Sequence, residues 1–108
     1  MSKIYVTNKS GHNIEPALQF GDDIIYLTEG KVNIFRTDDL IEDLKEKLKD
    51  FNSEDYLIFT GNSIVSGLAL SILFTKLPAI HLLLFNAKSI EYVSRLVENT
   101  RLNLKEAK

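Results

Sequence analysis

Two short stretches carry the residue types from which a binding site could be made. Thr60-Gly61-Asn62-Ser63 stands between an apolar run and a helical pattern, and Lys9-Ser10-Gly11-His12-Asn13 follows the first apolar run. A helix that starts at Ser63 presents free N–H groups and a partial positive charge, which suits a phosphate or another anion. Asn62 or Ser63 can equally do no more than cap that helix. If the strands before the two stretches lie parallel and adjacent, both loops share one crevice at the carboxyl edge of a sheet, where open α/β sheets hold ligands. His12 and Lys9 would supply positive charge there, and Arg36 and Arg95 are further candidates because a guanidinium offers a two-pronged fork to phosphate. The bland reading of the same residues is a turn at Gly11 and a surface histidine at position 12.

Other chemistry has less to stand on. The chain has no cysteine and only two histidines, His12 and His81, with no serine elbow and no paired ligand motif around them. No catalytic residue is named, and no metal ligand or cofactor is expected. His81 sits in an apolar run and reads as a core residue with a satisfied ring. Asp22, Asp23, Glu15 and Glu29 read as solvated acids rather than a metal cluster, and Asp38-Asp39 suits the first turn of a helix.

The elements that would position these residues follow from pattern. The 108 residues hold 44% hydrophobic and 26% charged side chains, near the globular average, and fit one domain. Ile4-Tyr5-Val6 reads as a first strand, Pro16 as the start of a short helix ended by Gly21, and Ile24 to Thr28 as a second strand covered on both faces. Val32, Ile34 and Phe35 suggest a short third strand or an extended edge segment. Thr37 as N-cap opens an amphipathic helix with Leu40, Leu44, Leu48 and Phe51 on one face and an Asp43–Lys47 pair on the other. Asp55 to Thr60 is a buried strand, a helix runs from Ser63 to about Lys76, and Ile80 to Phe85 is the next strand, parallel to the one before through a crossover. Ile90 to Val97 fits the two-residue period and the helical period alike. The fold class is α/β, a single small domain over 1–97 with a mostly parallel sheet of four or five strands and two main helices; residues 98–108 form a polar tail.

Charge and hydropathy bound the partners. The formal net charge of −2 disfavours a nucleic-acid backbone. No charged residue occurs between Asp55 and Lys76, yet Thr60-Gly61-Asn62-Ser63 splits that stretch, and the 12 residues from Ile64 to Thr75 are too few to span a bilayer. The first residues do not form a secretory segment, so a cytoplasmic location is expected. The second helix is apolar nearly all round, with Gly67, Ala69 and Ser71 permitting close approach, and a homo-oligomer is expected on that ground.

Several local patterns together are familiar: Tyr5-Val6 before Asn8-Lys9-Ser10-Gly11-His12-Asn13, Pro16-Ala17, Phe20-Gly21, Tyr26-Leu27-Thr28-Glu29-Gly30, Asp55-Tyr56-Leu57-Ile58, and Leu82-Leu83-Leu84-Phe85 before Tyr92-Val93 and Arg95. From Lys3 to Val97 the chain resembles small proteins encoded by tailed bacteriophages and prophages. The resemblance implies a strand after a tight turn over Ile90 to Val97, hence a C-terminal β-hairpin. It implies a viral origin, with no catalytic residue to carry over, and small viral accessory proteins commonly disable a host component. The leading expectation is a non-enzymatic accessory protein that counteracts host defence or physiology by binding a small phosphorylated or nucleotide-like ligand. The alternatives are an inhibitor that binds a host protein without a small ligand, and a small nucleotide-processing enzyme.

Overall fold

The computed structural model describes residues 2–11 and 13–104. Among them, β1 (Lys3–Val6), β2 (Asp23–Tyr26), β3 (Tyr56–Ile58), β4 (Ala79–Asn86) and β5 (Glu91–Glu98) form one sheet in the order β2-β1-β3-β4-β5. The first four are parallel and β5 closes the sheet antiparallel to β4. The α/β class, the mostly parallel sheet and the C-terminal hairpin are as expected.

Two helices, α1 (Thr37–Leu48) and α2 (Ser63–Phe74), pack on one face, where Tyr5, Leu57 and Ile80 of the sheet meet Leu44, Leu48, Val65, Ala69 and Leu73. A 3₁₀ turn at Glu15–Gln19 and the loop before it cover part of the other face, with Ile14 and Ala17 against Ile4, Val6, Ile58 and Tyr92. Handedness explains the division. The connections from β2 to β3 and from β3 to β4 move the same way across the sheet and so share a face, whereas β1 to β2 moves the other way. Alternation along the strands then supplies both cores: Tyr5 and Leu57 point to the helices, and Ile4, Val6 and Ile58 point away.

Several local expectations are corrected. Val32 to Phe35 form no strand. Asn33 Oδ1 accepts from Phe35 N at 3.1 Å and folds the segment into a turn, which leaves Phe35 90% exposed. The N-cap of α1 is Arg36, while the Thr37 hydroxyl donates to the Ile34 carbonyl at 2.8 Å. Lys47 does not pair with Asp43; its ammonium donates to the Leu27 carbonyl at 2.9 Å, and among the described residues the ion pairs on that helix are Arg36–Asp39, Glu42–Lys45 and Glu46–Lys49. The Ile24 to Tyr26 strand is an edge, half-buried rather than covered on both faces. Asp55 is buried just before β3 as a cap, with Oδ1 accepting from Lys3 N at 2.8 Å and Oδ2 from Asn52 N at 2.9 Å. His81 packs against Tyr56 at 5.5 Å between ring centroids, and its buried Nδ1 has no hydrogen-bond partner among the described residues, in place of the satisfied ring expected.

Candidate functional site

The strands adjoin and run parallel where the two loops were expected to meet. β1 pairs with β3, and the sheet reverses its order of growth between them, which is where α/β sheets open a crevice at the carboxyl edge. Here side chains fill that position. Asn8 Nδ2 donates to Thr28 Oγ1 at 2.8 Å and to the Gly30 carbonyl at 2.9 Å. Asn8 N donates to Thr60 Oγ1, which donates in turn to the Asn8 carbonyl. Thr7 Oγ1 donates to the Thr60 carbonyl and accepts from Thr60 N, both at 2.7 Å, while Thr28 Oγ1 donates to the Thr7 carbonyl at 2.6 Å. The ends of three strands are thereby stitched by threonines around one buried asparagine, and Gly61 closes over it. With φ +73° and room for a Cβ only 2.8 Å from Asn8 Cβ, position 61 takes no side chain.

The expected site residues divide around this network. Thr60 belongs to it. Asn62 caps α2, its Oδ1 accepting from Ile64 N at 2.7 Å, and Ser63 is the exposed first residue of that helix. Lys9 bridges to Glu29 across the strand ends, and its ammonium lies 5.5 Å over the Tyr26 ring. Ser10 and Gly11, the latter at φ +82°, line a recess of about 150 Å³ with Asn8 and Tyr26. His12 lies outside the described residues. Asn13 Oδ1 accepts from Glu15 N at 3.0 Å and opens the 3₁₀ turn. The two arginines are elsewhere. Arg36 pairs with Asp39 at 2.7 Å, and Arg95 stands opposite Leu82 on β5, two strands from the β1–β3 boundary.

The substantial cleft is next door. β3 pairs with β4 only at Tyr56↔His81 and Leu57↔Leu82; beyond that β3 turns toward β1, where Thr7 N donates to the Ile58 carbonyl, and β4 continues with β5 alone. The gap has a volume of about 520 Å³. Its apolar walls include Ile58, Phe59, Leu84, Phe85 and Tyr92, and Asn13 and Thr60 supply polar groups. Phe59 is 44% exposed and Leu84 and Phe85 are each 50% exposed, while Phe85 meets Tyr92 edge-on at 5.3 Å. Burial, followed by the nearby Tyr26, holds the Tyr92 hydroxyl above the usual tyrosine range, so that hydroxyl is neutral at physiological pH.

The lining of the cleft, among the described residues, contains no carboxylate, imidazole, ammonium or guanidinium. Among the described residues no three His, Cys, Asp or Glu are grouped to hold a metal ion, and no helix is long and apolar enough to cross a membrane. Phe59, Leu84, Phe85 and Tyr92 were missed as site residues because apolar runs read as buried strands. The signal was the unequal length of Tyr56–Phe59 and Ile80–Phe85: the longer run must outgrow its neighbour.

Neither the curated proteins nor the solved structures contain a match to this chain. A family model does match, over residues 2–99, and its description is Phage Pam3 gp32-like protein. The match covers both loops, the cleft and the whole sheet, and by it the chain belongs to the Phage Pam3 gp32-like family.

Proposed function

We propose that this phage-family protein is a non-enzymatic accessory protein that captures an apolar, extended segment of a host protein in the β3–β4 cleft and thereby counteracts host defence or physiology. The observation that carries this reading is the cleft's lining, in which half-exposed Phe59, Leu84 and Phe85 stand with no charged residue among the described lining residues. A phosphate held there would lose its water and gain no cation from the described lining, which includes neither Arg36 nor Arg95.

Magnitudes say what else the capture needs. The three side chains still offer on the order of 300 Å² of apolar surface, worth about 7 kcal/mol at 25 cal/mol per Å². Association costs roughly 4–15 kcal/mol, so the side chains alone leave little or no surplus. The β3-facing edge of β4 from Leu83 to Asn86 has no strand partner among the described residues, and a segment added there would gain main-chain hydrogen bonds as well.

A second reading keeps the small ligand but moves it into this cleft. The volume lies in the range of small-molecule sites, and the Asn13 amide is a polar group of the kind such sites use to orient a planar ring.

Peptide-library selection on the intact protein, repeated on Phe85→Glu, tests the first reading. Selected apolar peptides should lose at least tenfold in affinity on the variant; equal affinity would sink it. Native mass spectrometry with a nucleotide panel tests the second, which stands only if a ligand is retained by the wild type and lost from Phe85→Glu.

A further inference from the structure

The two edges of the sheet are managed differently. β2 offers four residues, whereas β5 offers eight, paired one-to-one with β4 from Ala79↔Glu98 to Asn86↔Glu91, with no proline and no bulge. A long, regular outer edge is a template for another strand.

β5 also carries two opposite charges that no described residue pairs. Glu91 and Arg95 are exposed, share a face, and make no ion pair among the described residues; Arg95 only donates from Nη1 to the neighbouring Ser94 carbonyl at 2.8 Å. Four residues of strand separate them by about 13 Å, too far to meet each other.

We infer that β5 is a homodimer edge, on which a second copy of this chain adds its own β5 antiparallel about a two-fold axis through Val93. Opposed residues in an antiparallel pair share a face, so the axis must pass through a residue rather than between two. Through Arg95 it would oppose two arginines, and through Ser94 it would set Arg95 and Glu91 against valines. Through Val93 it sets Glu91 against the partner's Arg95 twice over, and brings Ile90, which is 70% exposed, toward the partner's Leu96, which is 50% exposed. The guanidinium then exchanges the Ser94 carbonyl for a carboxylate and frees that carbonyl for the partner's main chain. Tyr92 of this strand also lines the cleft, but the outer edge of β5 lies across β4 from the β3–β4 gap and neither Glu91 nor Arg95 is in the lining, so the dimer edge stands apart from the proposed function.

Sedimentation equilibrium of the full chain, with circular dichroism as a check on folding, tests the register. The wild type should dimerise below about 100 μM, a modest affinity suited to one strand pair. Glu91→Arg and Arg95→Glu should each weaken the dimer at least tenfold, and the double exchange should restore it. A monomeric wild type, a dimer indifferent to either reversal, or a double variant as weak as the singles would overturn the proposal.

Discussion

Asn8 shows how one side chain can decide the character of a site. Its amide donates to Thr28 and Gly30 from a 5% exposed position, so Asn8→Ala leaves those two acceptors without their donor inside a closed cluster. A loss of about 2–3 kcal/mol is expected, read as a lower urea midpoint. Gly61→Ala should cost as much, because its Cβ would meet Asn8 at 2.8 Å in a backbone region of positive φ. Tyr5 gives a pH signature. Burial first, then Asp55 and Asp50, raise its pKa in the fold above the ordinary value of about 10. The unfolded chain therefore releases that proton first as pH rises, so the stability is fully present below pH ~10 and drains away above it. Tyr92 adds to the effect with the same sign. Thermal melts should fall steeply above pH ~10, and Tyr5→Phe should flatten the fall; an unchanged slope would assign it to other groups.

At the scale of elements, α2 contains an unused margin. A Cβ at Gly67 would meet nothing within 4 Å, and the residue is exposed in mid-helix. Gly67→Ala should therefore stabilise the protein by about 0.5–1 kcal/mol, raising its melting temperature. The gain would vanish if α2 packed closely against another copy through that glycine, so the same melt, run across protein concentration, tests the homo-oligomer expected from the small residues of this helix. The β4–β5 turn contains strain of the opposite kind. Ile90 holds φ +55°, a conformation β-branched residues avoid, with its side chain in solvent. Ile90→Asn should stabilise the turn by about 1 kcal/mol; an unchanged or lower melting temperature would contradict it.

For the whole molecule, the consequence of unequal strand lengths is that half of the β4–β5 ribbon stands clear of the three short strands, with the cleft at its root. Stability and binding should separate there. Phe85 is 50% exposed, so Phe85→Glu is expected to change the unfolding free energy by less than about 1 kcal/mol while abolishing capture at the cleft. Urea melts beside peptide binding on the same samples check this, and loss of both together would mean that the cleft is core rather than site.

The amphipathic period of Leu40, Leu44 and Leu48, the apolar strand runs and the Pro16 start were legible because each is a local property of the chain: period, propensity and capping act within a turn or two. So was the phage kinship, which rests on residues along the same span that the family model matches. What the loops do was legible only in part, since a Gly-Asn-Ser turn before a helix looks alike whether it cradles an anion or caps the helix. Tertiary structure adds what those groups touch. Asn8, Thr28 and Thr60 come from three distant segments, and only their meeting at the β1–β3 boundary shows the polar groups consumed by one another. The same holds for the cleft. Phe59 and Phe85 look like core in a one-dimensional pattern, and whether an apolar residue is covered depends on the length of the strand beside it, which no local rule supplies.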